Sequence, residues 1–166
     1  MNTRELDPDV EEITGPGALA DWLRARGIPV EGELSDADVE RAVTFREALR
    51  RFLLASTEGS EPPDDVLEVL RDASRDAPLQ IDITEQGSCQ TTPASQGVGA
   101  LIAEILAASA AAQREGEWER LKVCPDQECL WAFYDRSRNR SRHWCSMDTC
   151  GNRAKTRTYR AKQASG

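Results

Sequence analysis

Two Cys-x-x-x-x-Cys pairs, Cys124 with Cys129 and Cys145 with Cys150, stand fifteen residues apart near the end of this chain. A fold that must bring four thiols to one point has little freedom left in that stretch. Zinc takes four soft donors at tetrahedral corners, and one short cysteine loop can fill two corners while a second supplies the rest. A catalytic ion would keep one position open for water. Four thiolates therefore predict one structural Zn2+ ion held by Cys124, Cys129, Cys145 and Cys150. Two disulfides and an iron–sulfur cluster are the alternatives. No charged-then-apolar leader opens the chain, so a reducing, cytoplasmic setting is expected, which disfavours disulfides. The spacing also matches none of the common cluster runs. Few large apolar side chains lie between Val123 and Cys150, among them Leu130, Trp131, Phe133 and Trp144. Metal binding is expected to supply much of that segment's folding energy, about 10–16 kcal/mol by analogy with finger peptides. Cys89, alone in the turn region 86–96, reads as an incidental thiol.

Charge divides the chain at the same place. Residues 1–120 carry 11 Arg and no Lys against 25 acids, a net of −14, while residues 121–166 carry 10 basic and 4 acidic residues, a net of +6. With a Debye length of about 8 Å at physiological salt, a basic module can act beside an acidic one. Its arginines are also patterned. Arg136, Arg138, Arg140 and Arg142 alternate with Ser137, Asn139 and Ser141. An extended segment would point all four arginines to one face at a repeat of roughly 6.6–6.8 Å, close to the spacing of stretched phosphates. Beyond Cys150 the chain reads as helix, and Arg153, Arg157 and Arg160 recur at i, i+4, i+7. The guanidinium fork suits phosphate. Asn139 and His143 lie within the ladder; His143 could replace a cysteine as ligand, but with four thiolates present it reads as a surface or phosphate-facing group. Neutralisation of the thiolate-rich site, or docking on the acidic part of the chain, is the alternative reading of these arginines; nucleic-acid contact is the favoured one.

The run Cys145-Ser-Met-Asp-Thr-Cys150-Gly151-Asn152-Arg153, preceded by Ser137-Arg-Asn-Arg-Ser-Arg-His-Trp144, resembles the CGNR zinc-finger family of bacteria. The resemblance is close from about Leu121 to Lys162. It implies an N-terminal ABATE domain of helices ahead of the finger, in proteins described as candidate stress-induced transcription regulators. Family members typically open with an apolar strand ending in a Phe-Val-Asn-Thr-like string, whereas this chain opens at Met1-Asn2-Thr3. That strand is expected to be missing or displaced by a start further upstream, and its loss would leave an unpaired edge. The segment Leu19 to Leu23, with Asp21-Trp22-Leu23, fits the resemblance.

Upstream, apolar periodicity predicts helices over Ala18 to Arg26, from an N-cap at Ser35 to about Ser56, after Pro62-Pro63, and from Val98 to Gln113. The second carries Val39, Ala42, Val43, Phe45, Leu49, Phe52 and Leu53 as its buried stripe. Leu79, Ile81 and Ile83 alternate with polar residues and predict a strand, with Gln90 to Thr92 its hairpin partner. The expected fold is thus mainly α with a small β-hairpin (α+β): an acidic helix-rich domain over 1–120 and a four-cysteine zinc finger of treble-clef-like form over 121–166. The Val98–Gln113 run contains Glu104 and is too short to span a membrane. There is no Gly-rich phosphate loop, no Gly-x-Ser-x-Gly and no His-Glu-x-x-His, and one histidine stands in the whole chain; no enzyme is expected. The favoured partner is DNA, with Asn152 or Arg153 reaching a base edge. An RNA-binding protein or a protein-interaction adaptor is the alternative, and a homodimer is compatible with each.

Overall fold

Why the chain turns where it does is clearest in its second helix. Ser35 Oγ accepts the N–H of Asp38 and the Asp38 carboxylate accepts the N–H of Ser35, a reciprocal capping box that starts α2 (Asp36–Glu58). Gly59 ends it at φ 71°, a left-handed position where glycine meets no steric penalty. The computed structural model describes residues 1–164; the last two positions of the expected finger, 165 and 166, lie outside the described residues.

Ahead of α2 stand an antiparallel pair, β1 (Arg4–Leu6) and β2 (Asp9–Glu11), and α1 (Pro16–Arg24). The first helix begins two residues earlier than periodicity alone predicts, because Pro16 lacks the N–H that the first turn leaves unbonded. After α2 come α3 (Asp64–Arg75), the hairpin β3 (Leu79–Ile83) with β4 (Cys89–Pro93), and α4 (Gly97–Arg114). A 3-10 turn at Trp118–Arg120 leads to β5 (Leu121–Val123), antiparallel to β6 (Ala132–Tyr134). A π-helical turn over Met147–Gly151 then opens α5 (Asn152–Ala164).

The core lies where α1, α2 and α4 meet. Leu19, Leu23, Phe45, Leu49, Leu53, Val98 and Ile102 are all buried there, as the apolar stripes require. Val123 of β5 belongs to the same cluster, and its N–H donates to Thr57 Oγ1 of α2 at 3.1 Å. The first hairpin of the finger therefore packs on the helical part and does not hang from a tether. The predicted strand 79–83 forms, yet Ile81 and Ile83 stay 74% and 66% exposed; Asp82, bonded to Thr92, is the strand's one half-buried residue.

Two arginines on α2 carry the polar part of the core. Arg46 grips Glu11 of β2 through paired contacts at 2.8 Å, and also Thr3 and Glu47. Arg50 donates to the carbonyls of Met1 and Leu130, at 2.8 and 2.9 Å, and pairs with Glu47. The opening residues are thus ordered, and the unpaired edge expected there is filled. Asn2 donates from Nδ2 to Ala132 O at 2.8 Å and accepts the Ala132 N–H at 2.9 Å, doing for β6 what a neighbouring strand would do. No helix among the described residues is long and apolar enough to cross a membrane.

Candidate metal centre

The loop between β5 and β6 supplies two thiols, and the turn into α5 supplies two more. In the first, Asp126 O accepts the N–H groups of Cys129 and Leu130, at 2.8 and 3.0 Å, while Cys124 donates its N–H to Trp131 O at 2.9 Å. Leu130 takes φ 47° where the loop re-enters β6; its carbonyl is the one that Arg50 holds. In the second, Ser146 Oγ accepts the Thr149 N–H, capping the π-helical turn. Two thiols thus come from the hairpin loop and two from the turn that opens α5.

All four sulfur atoms lie within 4.8 Å of one another. Cys129 and Cys145 are 3.4 Å apart and Cys145 and Cys150 are 3.7 Å apart. All four are free thiols, and the two separations are well beyond the roughly 2.05 Å of a disulfide. Four Zn–S bonds of about 2.3 Å would set sulfurs roughly 3.8 Å apart. The donor set thus fits one tetrahedral zinc ion, which would close the two loops on each other. Burial and the crowding of neighbouring sulfurs push the Cys145 and Cys150 thiols up, the latter to about 11; a bound dication relieves that crowding. His143 lies outside the cluster, and its ring stacks edge-on against Trp144 at 4.6 Å.

Every residue of the Cys150-Gly151-Asn152-Arg153 box has a local task. Cys150 is a ligand. A side chain on Gly151 would run into Met147 and Trp144, so glycine lets α5 start tight against the metal turn. Asn152 donates from Nδ2 to Asp148 O at 3.0 Å. Arg153 binds buried Asp126 at 3.1 Å, Glu128 at 2.8 Å and Asp7 of the β1–β2 turn at 3.2 Å, with a nitrogen 4.0 Å from Cys150 Sγ. Asn152 and Arg153, expected to reach a base edge, are instead engaged within the protein.

Arg157, one turn on, joins the same latch through Asp126 at 2.9 Å. The proposed basic stripe of α5 is thus largely absorbed by the acids of the cysteine loop, and only Arg160 of its three members is exposed without an acidic partner among the described residues.

The arginine ladder is not extended, which corrects the one-face geometry expected of it. The chain turns over Ser137 to Arg140, with Arg140 at φ 52° and its N–H on Ser137 O. Asp135, 0% exposed, drives the turn: it accepts the N–H groups of Ser137 and Arg142, both at 2.9 Å, and the Lys122 ammonium at 2.7 Å. Burial opposes its ionisation, but those three donors hold its carboxyl well below the usual range. Lys122 also donates to the carbonyls of Arg140 and Arg142. Arg140 pairs with Glu119, and Arg142 lies over the Phe133 ring and binds the carbonyls of Trp144 and Cys145. Arg136, Arg138 and Asn139 remain at the surface.

Sequence reasoning overlooked Lys122, Asp126 and Asp135. The signal for the two aspartates was there: four acids among ten basic residues in one small segment, each a potential buried partner.

Two family models match the chain. The ABATE model, described as "Putative stress-induced transcription regulator", covers residues 1–115. That of the CGNR zinc finger covers residues 120–163. No curated protein matches the sequence.

Proposed function

This chain belongs to the ABATE family and ends in a CGNR zinc finger, and from that premise we propose that it is a zinc-stapled transcription regulator whose finger contacts duplex DNA. The observation that carries the reading is the direction in which the finger's charges face. Asp126, Asp135 and Glu128 are engaged by Lys122, Arg153 and Arg157. Asp148 is the one remaining acid of the finger, against Arg136, Arg138, Lys155, Arg160 and Lys162, all exposed and without an acidic partner among the described residues. Four thiolates around one zinc ion subtract about two charges from the net of the finger and leave it cationic.

Such a surface binds phosphates first. The contacts would position the protein on the duplex and make affinity strongly salt-dependent. Arg136 and Arg138 are the forks best placed to act, since Arg140 and Arg142 hold their own loop. The reading is of a binding protein and not an enzyme.

The test is a titration of the zinc-loaded protein against a random duplex pool at several salt concentrations, with bound sequences recovered. Enrichment of one motif with a steep salt slope supports a sequence-reading regulator. Absence of binding even at low salt overturns the proposal in favour of an adaptor that docks a protein on the same surface.

A further inference from the structure

α5 has a second face. At 100° per residue, Lys155, Tyr159 and Lys162 lie opposite Arg153 and Arg157, and they border a cleft of about 400 Å3 whose floor is Trp144, Gly151 and Ala154. Tyr159 is 63% exposed, on a helix whose surroundings do not cover it. Neither lysine has an acidic partner among the described residues. The latch of Arg153 and Arg157 on the cysteine loop fixes which way this face points.

We propose that this cleft takes an unpaired nucleobase together with its neighbouring phosphates. An exposed phenol beside an indole offers π-faces on which any base can stack, and such stacking is a sequence-tolerant source of affinity. Lys155 and Lys162 stand roughly 10 Å apart along the helix axis, one at each side of Tyr159, where they bracket a nucleotide by its two phosphates. Lysine serves here as a point charge, without the fork that reads base edges. The chemistry is shared by single-stranded DNA, RNA and a free nucleotide; Lys155 and Lys162 also belong to the cationic surface of the duplex reading, but stacking on Tyr159 needs a base that no duplex offers.

The experiment compares zinc-loaded full-length protein binding to a labelled oligothymidine, an oligouridine and a mixed duplex of equal length, with AMP as competitor. Both single strands are expected to bind. Tyr159→Ala should weaken them roughly 5-fold or more, while Tyr159→Phe retains the affinity. Replacing Lys155 and Lys162 together by Ala should lower the single-strand salt slope by about 1.4 units. All three variants change exposed positions, so zinc content should match the wild type. Preference for oligouridine would name RNA as the source of the base, equal affinity any single strand, and competition by AMP a free nucleotide. Unchanged binding by Tyr159→Ala overturns the proposal, as does duplex binding without single-strand binding; the latter leaves the duplex reading intact. Single-strand binding without duplex binding does the reverse.

Discussion

Lys122 Nζ stands 2.7 Å from Oδ2 of Asp135, and the carboxyl is wholly buried. Around this ion pair the finger's polar backbone is organised, since both groups spend their remaining hydrogen bonds on the loop from Ser137 to Arg142. Arg142 in turn binds the carbonyls of Trp144 and Cys145, the latter one of the four clustered cysteines. A charge pair thus transmits order from the hairpin to the metal turn. Asp135→Asn keeps the shape but leaves the Lys122 ammonium without its counter-charge, and removing one partner of a buried pair costs about 3–5 kcal/mol. Denaturant melts of the zinc-loaded protein check the loss, and hydrogen exchange should report it first at the Arg142 amide.

The pair of Arg46 and Glu11 makes a prediction about pH. Burial works against the Glu11 charge, but the Arg46 guanidinium and the Ile13 N–H outweigh it and hold the carboxyl below its usual range. A depressed folded pKa contributes stability that is full above the unfolded value of about 4.3 and is lost as pH falls below it. Glu11→Gln should therefore cost about 1.5–3 kcal/mol at neutral pH, and the difference between wild type and variant should shrink only below about pH 4. Paired melts across that range measure it; a constant difference would show that Glu11 stabilises by packing alone.

Those two pairs also mark the limit of what the residues disclose unaided. Ser35 with Asp38, the Leu79–Ile83 alternation and the four cysteines are legible because each signal is local: a cap, a period of two, a fixed spacing. The inward arginines of α2 are not, because apolar periodicity counts Arg46 and Arg50 as surface, and only the arrival of Glu11 and Leu130 from distant segments makes their burial favourable. The ladder from Arg136 to Arg142 misled for a related reason. Its alternation is real, but Asp135 pulls the backbone into a turn, and a buried acid outside the repeat decides the conformation within it.

Metal removal separates two parts of the finger. Cys145→Ser should abolish stoichiometric zinc, measured by mass spectrometry, and release the residues from Trp144 on, which lie beyond the loop that Lys122 and Asp135 hold. Leu121 to Val123 should keep their amide protection, because Val123 is buried in the core shared with α2 and its N–H is bonded to Thr57. Loss of protection at Val123 would mean that the metal, and not the shared core, holds the hairpin in place.

Gly151→Ala tests the close approach of α5 to the metal turn. The added methyl would overlap Met147 and press on Trp144. Met147 is half exposed and can swing aside, so the cost should be modest, about 1–2 kcal/mol. Combining the change with Met147→Ala should recover much of it if the clash is the cause. Melts of the single and double variants decide, with no recovery pointing to backbone conformation instead.

The two arginine populations should respond oppositely. Arg157→Ala breaks a contact with buried Asp126 and should lower the finger's thermal stability, but it removes no free cation from the surface and should leave the salt dependence of duplex binding nearly unchanged. Arg136→Ala with Arg138→Ala should do the reverse. Both side chains are exposed, so melting should not move, whereas the loss of two phosphate contacts should lower the slope of log affinity against log salt by about 1.8 units. Measuring melts and slopes on the same preparations separates cations that build the finger from those that bind through it. If instead Arg157→Ala flattens the slope, the latch opens on DNA and its arginines turn outward to phosphate.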